Sequence, residues 1–177
     1  WLNASGTLTL THEYGNSVFN FATGTIGPDV KEIILDKYVF FKVDATESVP
    51  VGDVNGTAEG AFFVGNGEIV VDASRQSRAF RGCLPPKYQF SSGAAVYDNN
   101  LTLAKVGSYE ATVAATNLPN VSVREGDLRL VTDCTVNGRI EIADGARLDV
   151  LGYLNTDQGM HDTYLTPNEQ YTHVSMW

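Results

Sequence analysis

The sequence predicts an all-β chain: a sandwich or meander of short antiparallel strands, with a β-solenoid-like ladder over residues 126–154. Three observations predict it. Valine, isoleucine and threonine together outnumber glutamate, lysine, glutamine and arginine, and branched side chains suit a pleated surface whereas long unbranched ones favour helices. Seventeen glycines and six prolines cut the 177 residues into short pieces with little room for long helices. The third observation is a six-residue recurrence of apolar positions in the C-terminal half.

Residues 6–11 alternate Leu8 and Leu10 with threonines, and Tyr14-Gly15-Asn16-Ser17 then turns the chain into Val18, Phe19 and Phe21. Over residues 28–38, Pro28, Asp29 and Glu32 suit the first turn of a helix. Ile33, Leu35, Val39, Phe41 and Val43 alternate instead, so a short helical turn followed by a long buried strand is expected. Residues 61–64 lead through Gly65-Asn66-Gly67 into 68–71, a second hairpin candidate. Residues 94–97, Asp98-Asn99-Asn100 and 101–103 form a third. Asn, Asp and Gly tolerate the positive φ that hairpin turns demand.

From Gly126 the chain reads GDLRLVTDCTVNGRIEIADGARLDVLGYL. Leu130, Val136, Ile142, Leu148 and Leu154 fall six residues apart, and Leu128, Cys134, Ile140, Ala146 and Gly152 keep the same step. Single polar residues such as Arg129, Thr135 and Glu141 separate the paired apolar positions, so each unit is a strand. Two arrangements produce the recurrence. In a β-solenoid each unit is one face of a coil; in an antiparallel meander Asn137-Gly138 and Asp144-Gly145 close two-residue hairpins. The hairpin signal is the stronger short-range one and five units make a short solenoid, so the meander is expected. Residues 1–154 then form one β-rich domain. Residues 155–177 form a polar extension in which Tyr164, Tyr171 and Trp177 are candidate docking anchors.

Charge and composition narrow the partners. With 12 basic against 21 acidic residues the net charge is −9, and clustered cations that would neutralise phosphates are lacking, so no nucleic-acid partner is expected. No apolar run approaches the ~20 residues that span a bilayer, so no membrane insertion is expected. The chain opens on Trp1-Leu2-Asn3, as expected of a processed product, a fragment or part of something longer.

Each candidate chemistry has a plainer competitor. Cys83 and Cys134 fit either a disulfide or two buried thiols. His161-Asp162 with Asp157 could approach a metal, but His12 and His173 offer no matching cluster, and neither metal nor cofactor is expected. There is no GxSxG elbow, and Cys83, following Arg81-Gly82, reads as a packed small residue. Glu141 and Asp149 could be cross-strand neighbours, as paired glycosidase carboxylates need; Arg139 and Arg147 make a surface charge ladder the simpler account. Arg75, Arg78 and Arg81, at steps of three, would share one side of a helical turn and contact an acidic subunit face or an anion. The sequons at Asn3, Asn55, Asn100 and Asn120 would mark exposed loops in a secreted eukaryotic chain.

The run VNGRIEIADGARLDV at 136–150 resembles the rungs of bactofilin-type β-solenoids and of bacteriophage fibre and spike proteins. The texture of the remaining chain, rich in Gly and Asn turns, is similar to virion decoration, head-fibre and tail-fibre domains. That resemblance implies a homotrimer on a virion or extracellular surface, bound to itself and to other virion or surface proteins. The expected function is a non-enzymatic structural or adhesion role exercised through assembly. One alternative is a carbohydrate-binding module in which Tyr88, Tyr97 and Tyr109 stack against a glycan. A small glycosidase or lyase is the second.

Overall fold

The computed structural model describes residues 6–10, 17–21, 30–35, 39–56, 61–156 and 173–176. All regular elements among them are strands. The longest sheet comprises β1 (Gly6–Leu10), β3 (Val30–Leu35), β6 (Asp53–Gly56), β9 (Arg78–Arg81), β13 (Ala111–Ala114), β16 (Asp127–Leu130), β19 (Arg147–Val150) and β21 (His173–Met176). A second holds β5 (Ser48–Val51), β8 (Glu68–Asp72), β12 (Thr102–Val106), β15 (Asn120–Val123) and β18 (Ile140–Ile142). The third direction is taken by two three-stranded sheets. One contains β2 (Ser17–Phe21), β4 (Val39–Val43) and β7 (Phe62–Gly65), the other β14 (Asn117–Leu118), β17 (Cys134–Val136) and β20 (Leu154–Thr156). A parallel bridge between Phe62 and Cys83 continues the first of these.

Within these sheets every pairing is parallel, and consecutive strands of the chain lie in different sheets. The chain therefore visits three directions in rotation, and each strand pairs with the strand one circuit earlier. Partners Ser48 and Glu68 are 20 residues apart, Thr102 and Asn120 are 18, and Asp127 and Arg147 are 20. Glu68 and Thr102 are 34 apart because residues 84–100 are inserted. Inside that insertion β10 (Lys87–Tyr88) and β11 (Tyr97–Asp98) form the one antiparallel pair among the described residues.

The all-β expectation holds; the antiparallel meander does not. Leu130, Val136, Ile142, Leu148 and Leu154 lie on β16, β17, β18, β19 and β20, so each six-residue step crosses one face and three steps complete a circuit. Asn137-Gly138 and Asp144-Gly145 turn corners between sheets instead of closing hairpins. The physical reason is that a tight corner and a tight hairpin make the same local demand. Gly145 has φ +75°, the left-handed region that glycine enters without steric cost, and nothing local tells the next strand whether to fold back or move on.

The three hairpin candidates are corrected in the same way. β1 and β2, β7 and β8, and β11 and β12 each lie in different sheets. Residues 30–35 are strand, not helix, and the long buried strand expected up to Val43 is two strands, β3 and β4, in different sheets. The polar extension also returns to the body, since β21 pairs in register with β19 from Arg147↔His173 to Val150↔Met176.

Alternation fills the interior. Val49, Phe63, Ile69, Phe80, Leu103, Val113, Leu128, Val136 and Leu148 point inward and are buried. Phe41 and Phe63, register partners on β4 and β7, have ring centroids 5.5 Å apart, and Phe80 of the long sheet meets Phe63 across the interior at 5.1 Å. Their neighbours Phe40 and Phe62 point outward and would be stranded in water. The insertion covers them: Tyr88 and Phe90 close a second apolar cluster with Phe40, Phe62 and Val64.

Candidate functional site

A cleft of about 530 Å³ lies at the corner where the long sheet ends and the third direction begins. Its floor is built over three circuits by Gly82 and Cys83, by Ala114 and Ala115, and by Val131 and Thr132. Small residues recur at this corner, which makes the hollow, and Arg81 stands on its wall. Register places Asn55, Arg81 and Ala114 in one outward file. Val131 and Leu151 continue it, donating their N–H groups to Val113 and Leu130 of the preceding circuits. Val131 is 40%, Leu151 47% and Tyr153 83% exposed, so the cleft opens onto an apolar strip.

The three candidate arginines do not share a helical face. Arg75 lies in the bend after β8, and Arg78 and Arg81 are the ends of β9. A residue step of three on a strand reverses the side-chain direction. Arg78 is half-buried: its Nε donates to the Asp72 carbonyl at 3.0 Å and its guanidinium lies 3.9 Å from Asp53. The Asp72 carboxyl is held below its ordinary range by a hydrogen bond from Ser74, with Arg78 and Arg75 adding to the effect. Arg81, in contrast, has no ion pair or hydrogen bond from its guanidinium among the described residues, and it is exposed.

Glu141 and Asp149 are not cross-strand neighbours, because β18 and β19 belong to different sheets. Each pairs with the arginine two positions earlier on its side of the strand: Arg139 reaches Glu141 at 2.5 Å, and Arg147 grips Asp149 with two hydrogen bonds of 2.6 and 2.7 Å. Asp149 is almost wholly buried, and Arg129 bridges from it, at 3.6 Å, to Glu110 at 3.0 Å. These carboxylates are committed to guanidinium groups along the stack.

The three tyrosines separate. Tyr88 is buried and Tyr97 half-exposed, their rings stacked at 5.5 Å on the insertion; Tyr109 lies at the corner between β12 and β13. The cysteines are free. Cys83 precedes the β14 circuit and Cys134 follows it, so two strand spacings of ~4.8 Å separate them, beyond disulfide reach. Burial raises both thiol pKa values, that of Cys134 to about 12.

Two interior groups escaped the sequence reading. Lys105 on β12 is fully buried, and its ammonium donates to the carbonyls of Gly107 and Glu125, which occupy the same corner on successive circuits. Burial holds its pKa below the ordinary lysine value. The signal was the alternation Leu101, Leu103, Lys105, legible only once the strand's phase is known. Asn99 is also buried: its Oδ1 accepts from Gly65 N–H at 3.1 Å and its Nδ2 donates to Phe63 O at 3.0 Å.

Asn100 and Asn120 belong to a corner ladder. Asn100 Nδ2 donates to Asn66 Oδ1 at 3.2 Å, Asn120 Nδ2 donates to Asn100 O at 3.1 Å, and Asn120 Oδ1 accepts from Arg139 N–H at 3.0 Å. Asn55 is exposed on β6. Asn3, His12, Asp157, His161, Asp162, Tyr164, Tyr171 and Trp177 lie outside the described residues, and of His173 only the backbone in β21 is described. Among the described residues no group of three His, Cys, Asp or Glu side chains could hold a metal ion, and no helix is long and apolar enough to cross a membrane. Comparison with protein families, curated proteins and solved structures found no match, so the functional argument rests on this chain's own geometry.

Proposed function

We propose that this chain is a β-solenoid segment serving as a non-enzymatic structural or adhesion element of a virion or cell surface, acting through subunit assembly. The observation that carries this reading is the direction in which the outer polar side chains are spent. Asn66, Asn100 and Asn120 link successive circuits. Glu68 on β8 is gripped by Arg124 two circuits later, and Glu110, Arg129 and Asp149 join three circuits. A stack tied along its axis in this way is a stiff shaft with long flat sides. Sedimentation velocity across the micromolar range tests the reading: a discrete oligomer is expected, and a strict monomer throughout overturns it.

A glycan-binding role is favoured by one specific feature. Tyr97, half-exposed, lies with its ring on that of Tyr88, so its outer face is held ready for a sugar ring. A glycan array probed with the wild-type chain and with Tyr97→Ala distinguishes it: saturable binding lost in the variant supports this role, and no binding to any glycan removes it.

A further inference from the structure

We infer that the corner strip formed by Arg81, Val131, Leu151 and Tyr153 is the seat of a second copy of this chain. The inference rests on the assembly reading above and names the surface that assembly uses. Val131 and Leu151 directly follow the adjacent strands β16 and β19 of the long sheet, and Tyr153 follows at the next corner, beside Asp133, whose Oδ1 accepts its N–H at 2.9 Å. All three are large and apolar, and all three are exposed. On another face the outward Phe40 and Phe62 are covered by the chain's own insertion. Here no described residue does so.

Charge selects the occupant. The chain carries −9 overall, so two copies repel unless a cation lies where they meet. Arg78, Arg124, Arg129, Arg139 and Arg147 are each occupied by a carboxylate of their own chain. Among the described residues Arg75 and Arg81 have no such ion pair, and of the two it is Arg81 that stands on the wall of the cleft in file with Val131 and Leu151. An unpaired guanidinium beside an apolar strip suits a partner with an excess of acid and an apolar surface of its own, and another copy brings both its −9 charge and its own exposed strip. From β9 to β19 the strip crosses four strands, about 14 Å at the usual strand spacing. That length provides the apolar centre of a standard interface, which covers roughly 800 Å² on each partner.

Sedimentation velocity with Leu151→Asp and Arg81→Glu tests the inference. Both positions are exposed, so far-ultraviolet spectra and melting should match the wild type. The expected result is a wild-type oligomer whose dissociation constant rises about tenfold or more in each variant, and which weakens with added salt when Arg81 is present. Hydrogen exchange of the wild-type chain should show slower exchange at residues 131–133 and 151–153 as concentration rises. An oligomer that survives both variants, with no concentration-dependent protection at those residues, overturns the strip while leaving assembly intact. A wild-type monomer overturns assembly itself. If a variant misfolds, hydrogen exchange on the wild type decides alone.

Discussion

The ammonium of Lys105 occupies space that only glycine at position 126 leaves open. A Cβ on Gly126 would lie 2.5 Å from Lys105 Nζ and 2.6 Å from the Gly107 carbonyl oxygen, and the backbone there has φ +66°. The buried lysine, its two carbonyl acceptors and the glycine form one device that ties two circuits at one corner. Gly126→Ala should therefore cost about 1–3 kcal/mol from the left-handed backbone and the displaced carbonyl. Lys105→Ala, which leaves a cavity and two carbonyls without their donor, should cost more than Lys105→Met by about 1 kcal/mol or more. Urea unfolding of the three variants checks both orders.

The same lysine sets a pH dependence. Its pKa in the folded chain lies below the unfolded value of 10.5, so between those two values the unfolded state binds more protons. Stability from this group therefore rises with pH through that window, and the penalty is greatest below it. The difference in unfolding free energy between wild type and Lys105→Met should shift in favour of the wild type as pH climbs towards 10.5. A difference that stays flat or moves the other way contradicts a desolvated ammonium.

Cys134 acts with the opposite sign. Its thiol pKa is raised by burial from 9.0 to about 12, so the folded state holds the proton longer and stability from this group falls as pH rises through that interval. Cys134 should resist a thiol reagent until the chain unfolds. Cys83, half-buried in the cleft floor, should react sooner. Two free thiols counted in denaturant without reductant, at equal mass before and after reduction, are expected; a single bridged species contradicts the separation by two strand spacings.

Asn120 is a structural asparagine. Its amide donates to Asn100 O and Leu101 O and its carbonyl oxygen accepts from Arg139 N–H. Asn120→Ala should cost about 1–3 kcal/mol because it leaves backbone groups at a half-buried corner unpaired. In a glycosylating host, Asn120 of the folded chain should stay unmodified, because a glycan on Nδ2 takes one of its two N–H donors and has no room at the half-buried corner. Intact mass and peptide mapping check this, and full occupancy at Asn120 contradicts the ladder.

Arg147 and Asp149 should couple strongly. Removing the guanidinium in Arg147→Ala leaves a nearly buried carboxylate with only Arg129 at 3.6 Å and should destabilise the fold measurably. The double variant with Asp149→Ala should recover part of that loss, which a thermal-unfolding cycle measures.

Much of the secondary structure was legible in the sequence. Branched residues, frequent glycine and period-two alternation specify strands, and the spacing of Leu130, Val136, Ile142, Leu148 and Leu154 marks one strand per unit. The pairing partner was not legible. Asn137-Gly138 and Asp144-Gly145 relieve the same local backbone demand at a corner as in a hairpin, and only contacts with the preceding circuit, 18 to 20 residues back, choose between them. The candidate site divides the same way. Sequence singled out Arg81, but only the parallel register aligns it with Val131 and Leu151, far apart in the chain. Lys105, a charged residue that composition assigns to the surface, is placed inside by the phase of its strand, and the carbonyls of two successive corners make that burial tolerable.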